Sequence, residues 1–157
     1  MLKISKKLST TLSLALAIFF FVSCVAGLFV LPTLTEMLIN LPDNIGHREN
    51  ITEFGRTLAL ICAYAIVLIM MVADTMLFAL LMNVRKGEVF TNSTVSQIRG
   101  VSWCCLGLCL PFGILGFYFQ LSWIVCGLAI FLGLCLRVCK NAFEEAVEIK
   151  EENDLTI

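Results

Sequence analysis

Long apolar runs leave this chain one environment in which to fold. Residues 8–31 are 24 consecutive uncharged positions, residues 57–84 are 28 positions broken only by Asp74, and residues 100–136 are 37 positions without a charge. A helix rises about 1.5 Å per residue, so roughly 20 apolar residues cross the ~30 Å hydrocarbon core of a bilayer. The 37-residue run would be roughly 55 Å long as a single helix, so it must fold back. Phe117, Tyr118, Phe119, Gln120, Leu121, Ser122 and Trp123 are the natural turn, because they combine polar tips with aromatics that favour the interface. The chain therefore reads as an all-α polytopic membrane protein. We expect a four-transmembrane-helix bundle with helices at about 8–31, 55–84, 98–117 and 121–140, and a cytoplasmic C-terminal helical extension over 141–157. Pro111, Gly113 and Gly116 predict a kink or thin packing in the third helix.

The first run follows Lys3, Lys6 and Lys7, and Phe21, Val22 and Ser23 before Cys24 resemble a poor lipoprotein cleavage box. The apolar run nevertheless continues to Leu31, well beyond the ~7–15 residues of a signal-peptide core, which favours a retained helix. Orientation follows from the lysines and arginines. Nine of the 11 lie at the N-terminus (Lys3, Lys6, Lys7), in the second loop (Arg85, Lys86, Arg99) or in the tail (Arg137, Lys140, Lys150). Only Arg48 and Arg56 belong to the first loop. The positive-inside rule then puts both termini in the cytoplasm of a multi-pass protein of the cell membrane.

Composition narrows the function classes. A net charge of −1 gives no sign of direct nucleic-acid binding. The eight cysteines lie within or at the ends of apolar runs, where they read as small reduced packing residues rather than a disulfide framework. There is no C-x-x-C motif, and the pairs Cys105/Cys109 and Cys135/Cys139 share a helix face without disulfide geometry. His47 stands alone, which excludes a histidine-based metal site. No catalytic residue, metal or cofactor is implied, and the chain does not read as an enzyme.

The loops carry the remaining signals. Thr33, Leu34, Thr35 and Glu36 form a capping-box pattern, and Leu34, Met37, Leu38 and Leu41 follow at helical spacing up to Pro42. This predicts a short amphipathic helix on the outer membrane face. In the second loop, Gly87 should break helix two, and Thr91 or Asn92 should cap helix three. Val95 and Ile98 are expected to face apolar surface, and Phe90 to pin the corner. In the tail, Leu136, Cys139, Phe143, Ala146 and Val147 fall on one stripe, with Glu144, Glu145, Glu148, Glu151 and Glu152 opposite. Acids at a helix C-terminus oppose the macrodipole, so two readings stand: a solvated face, or a docking surface. On the second reading Arg85, Gly87, Phe90, Thr91, Arg99, Phe143, Glu144 and Glu148 form one cytoplasmic surface. The stripe would then pack on the loop around Phe90, on a second copy of the chain or on a soluble partner.

Asp74 is the candidate intramembrane polar site. An acid at that depth costs about 2.5–3.5 kcal/mol on insertion scales, so it should face the bundle interior. A hydrogen bond to a hydroxyl such as that of Thr75 is the structural reading. A small transporter or channel component using Asp74 is the functional alternative.

Gly87, Glu88, Val89, Phe90 and Thr91, followed by Ile98, Arg99 and Gly100, resemble a signature of the DUF2975 family. The close of the chain does so too, with Phe143, Glu144, Glu145 and Ala146 followed by residues 151–157. The family usually has Asn where this chain has Thr94. The resemblance implies a small bacterial four-helix membrane protein of uncharacterised function. Genes of the family often neighbour a Cro/CI-like helix-turn-helix regulator, which implies a regulatory protein docking a cytosolic partner of that kind.

Overall fold

The structure, a computed structural model, describes residues 6–40, 52–87 and 89–154. These form α1 (Lys6–Ile39), α2 (Glu53–Lys86), α3 (Asn92–Gly107), α4 (Cys109–Gly116) and α5 (Leu121–Asp154). Four segments are long and apolar enough to cross a membrane, because α3 and α4 are two halves of one span. The fold is the all-α, four-helix membrane architecture expected of the apolar runs.

The break between α3 and α4 has a covalent cause. Pro111 has no N–H to donate to the carbonyl of Gly107, and its ring crowds that turn. The ladder resumes on either side, with Leu108 N–H on Cys104 O at 3.0 Å and Phe112 N–H on Leu108 O at 3.1 Å. The chain then reverses over residues 117–120. There Tyr118 and Phe119 N–H both bond Leu115 O, and Phe117 stacks edge-on against Trp123 at 5.6 Å. The aromatic turn lies where the sequence placed it.

Caps set the corner between α2 and α3. Gly87 adopts φ 85°, a left-handed conformation that ends α2 at little steric cost, and its N–H bonds Val84 O. Thr91 is extended, and its hydroxyl accepts the Thr94 N–H. Helix three starts at Asn92, behind the expected Thr91 cap and ahead of the expected membrane stretch from about 98.

The expected separate surface helix after Pro32 is overturned. α1 runs through Pro32 to Ile39. Proline is tolerated in membrane helices, where neighbouring groups can satisfy the freed carbonyl. Thr33, the capping residue of the expected pattern, lies inside α1, and Thr35 is buried there with its hydroxyl donating to Leu31 O at 2.8 Å. Leu41, Pro42 and His47 lie outside the described residues.

Packing is sequential. Among the described residues α1 packs on α2, α2 also on α3 and α4, and α5 on α3 and α4. Small residues permit the close contacts. Ala17 of α1 and Ala59 of α2 are buried, and Gly133 of α5 lets the backbone come against Leu106 of α3. Most large apolar side chains point outward, as lipid-facing helices require. Cys24, Cys62 and Cys126 are buried, whereas Cys135 and Cys139 are exposed rather than packed.

Candidate functional site

The second loop and the tail meet at one end of the bundle. α3 turns Thr94, Val95 and Ile98 inward, and Thr94 is only 1% exposed. α5 supplies the facing stripe, in which Val147 is buried and Phe143 half-buried. The Phe90 and Phe143 rings lie 5.9 Å apart in a tilted arrangement, within the range where aromatic pairs attract. Around this apolar contact runs a polar rim. Arg99 Nη2 bonds Glu144 Oε1 at 3.1 Å, and Asn92 Nδ2 donates to Glu151 Oε1 at 3.1 Å. Lys140 Nζ binds the other Glu144 oxygen. On the α2 side, Asn83 Nδ2 reaches Gln97 Oε1 at 3.3 Å.

Five of the eight residues assigned to a cytoplasmic surface are thus gathered into one corner: Phe90, Thr91, Arg99, Phe143 and Glu144. Gly87 shapes its entrance. Arg85 and Glu148 are exposed and make no ion pair among the described residues. The stripe itself needs one correction. Cys139 is exposed, and Lys140 takes its place on the packed face, its side chain 15% exposed. The aliphatic stem of lysine covers apolar surface while the ammonium reaches Glu144. This also moves Glu144 to the edge of the contact. Glu145, Glu148 and Ile149 form an exposed outer face.

Glu144 lies beyond the apolar part of α5, which ends near Arg137 and Lys140. The Lys140 hydrogen bond first, and then Arg99, hold its carboxyl below the ordinary glutamate range. Glu144 is therefore ionised near neutral pH.

The sequence reading missed two contacts. Ser102 is 3% exposed, and its hydroxyl donates to the Gly133 carbonyl at 2.8 Å, tying α3 to α5. Thr94, Val95, Ile98 and Ser102 recur at helical spacing, so the period was available, but a lone serine in an uncharged run carried no weight. Arg137 Cζ also sits 4.7 Å over the ring of Trp103, a cation–π contact between residues too distant in sequence to be paired by pattern.

Asp74 is buried at 6% exposure in the seam between α1 and α2. The expected bond to Thr75 is not made, since the Thr75 hydroxyl donates to Val72 O at 2.8 Å. The carboxyl lines a cavity of about 250 Å³ and another of about 590 Å³. Among the described residues no cluster of three histidine, cysteine or acidic side chains could hold a metal ion.

The corner residues carry the family signature, and a comparison with known families decides the matter. The family described as "Protein of unknown function (DUF2975)" matches residues 43–157. The chain belongs to the DUF2975 family. No curated protein and no solved structure matches it. The DUF2975 match spans α2 to α5, so the family unit contains the whole corner, whereas α1 lies outside the match.

Proposed function

We propose that this DUF2975 protein is a membrane-anchored interaction protein whose α2–α3 corner and projecting α5 dock a cytosolic partner. The observation that carries the proposal is the length and fixation of α5. Its 34 residues extend about 50 Å, well beyond the hydrocarbon core, and the excess is braced on the corner through Phe143, Glu144 and Glu151. A merely solvated tail has no need of such a brace. The brace leaves Glu145, Glu148 and Ile149 outward on a rigid support, which suits a partner with a basic and partly apolar face. A regulator of the Cro/CI-like class is the candidate that the family resemblance supports.

The reading includes an orientation. The bias of lysine and arginine supports cytoplasmic termini, and the family resemblance supports a bacterial cell membrane. Truncation after Lys140 tests the assignment: the shortened protein should still insert while losing the cytosolic partner captured by the full chain. Retention of that partner by the truncated protein would overturn it.

A further inference from the structure

We propose that the α1–α2 seam is a binding site for a lipophilic organic cation, with Asp74 as its counter-charge. Among the described residues Asp74 makes no hydrogen bond or ion pair although it is more than nine-tenths buried. Its neighbour Thr75 is committed to Val72 O. A carboxyl in hydrocarbon needs a proton or a cation to neutralise it, and among the described residues no lysine, arginine or histidine lines either cavity beside it.

The rest of the site selects the kind of cation. The larger cavity, about 590 Å³, is lined by Leu16 and Phe20 of α1, Met70 and Leu77 of α2 and Val101 of α3. That volume lies within the usual range for small-molecule sites. Compact inorganic cations require several oxygen ligands to replace their water, and Asp74 supplies only one carboxylate. A quaternary ammonium or phosphonium ion carries its own apolar shell, is weakly hydrated, and gains from aromatic faces such as that of Phe20. Among the described residues α1 packs chiefly on α2, so the seam is open to molecules dissolved in the bilayer.

The test uses the full chain in lipid nanodiscs and radiolabelled tetraphenylphosphonium as the probe. Saturable binding should appear in the wild type, weaken at least tenfold in Asp74→Asn, and persist in Asp74→Glu. Equal binding by the wild type and Asp74→Asn would overturn the proposal, as would wild-type binding that never saturates above empty nanodiscs. If Asp74→Asn fails to fold, Leu77→Trp decides, since Leu77 lines the larger cavity, is 40% exposed, and the indole would fill that space while Asp74 itself is kept. Binding unchanged in Leu77→Trp contradicts the site, and loss of binding supports it.

Discussion

Arg99 of α3 and Glu144 of α5, 45 residues apart in the chain, meet at 3.1 Å beside the Phe90–Phe143 contact. Both side chains are about half exposed, so salt and water screen the pair and it fixes register more than it stabilises. Exchanging the charges tests this. Arg99→Glu or Glu144→Arg alone should speed protease cleavage of the tail, and the double exchange should recover most of the protection. Singles that match the wild type would mean that the pair orders nothing.

The same carboxylate gives the corner a pH dependence. Its pKa is lowered in the folded state, so its contribution is present above the ordinary glutamate range. That contribution is lost as the pH falls through the lowered value. The protection of residues 140–152 against hydrogen exchange, corrected for the intrinsic pH dependence of exchange, should therefore be high at neutral pH and fall on acidification, and Glu144→Gln should flatten the profile.

Much of this corner was legible in the sequence, because its devices are local. Gly87 and Thr91 act on their own backbone, so a left-handed stop and a hydroxyl cap can be read from residue type. That the tail stripe could pack on the loop around Phe90 was also visible, but the pairing of Arg99 with Glu144 was not. It depends on the rotation of α5, and the substitution of Lys140 for Cys139 on the packed face shifts that rotation. A hydropathy pattern treats lysine as polar along its whole length, whereas the structure uses its stem as apolar surface. The passage of α1 through Pro32 was illegible for a related reason. The breaking rule comes from helices in water, and a membrane leaves the backbone no better alternative than the helix.

Ser102→Ala should separate α3 from α5 modestly. The lost hydroxyl bond to Gly133 O is an interhelical bond in a membrane, where such bonds average about 0.6 kcal/mol and reach about 1.7. Unfolding measured in bicelles by steric trapping checks this, and a loss well above that range would show that Ser102 does more than bridge two helices.

Gly87→Ala should destabilise the corner by roughly 1–2 kcal/mol, because an L side chain strains the left-handed conformation. Gly87→Asn should cost less, since asparagine tolerates that region. Indistinguishable melting of the two variants would argue against the observed cap.

The proposed orientation is checked by single-cysteine labelling in a background lacking the other cysteines. An impermeant maleimide should modify position 47 from outside whole cells and leave positions 88 and 150 unmodified until the membrane is opened. The reverse pattern would place the corner on the outer side.

The docking account is tested most directly by reversing charge on the outer face of α5 while leaving the brace intact. Glu145→Lys with Glu148→Gln leaves Phe143 and Glu144 in place and sets no lysine one turn beyond Glu144 to compete with Arg99, so the corner should fold as before, shown by unchanged protease protection of the tail. Affinity capture from membranes should then lose the cytosolic protein retained by the wild type. If the reversed chain, with its corner intact, retains that protein at the wild-type level, the projecting helix is not the docking surface.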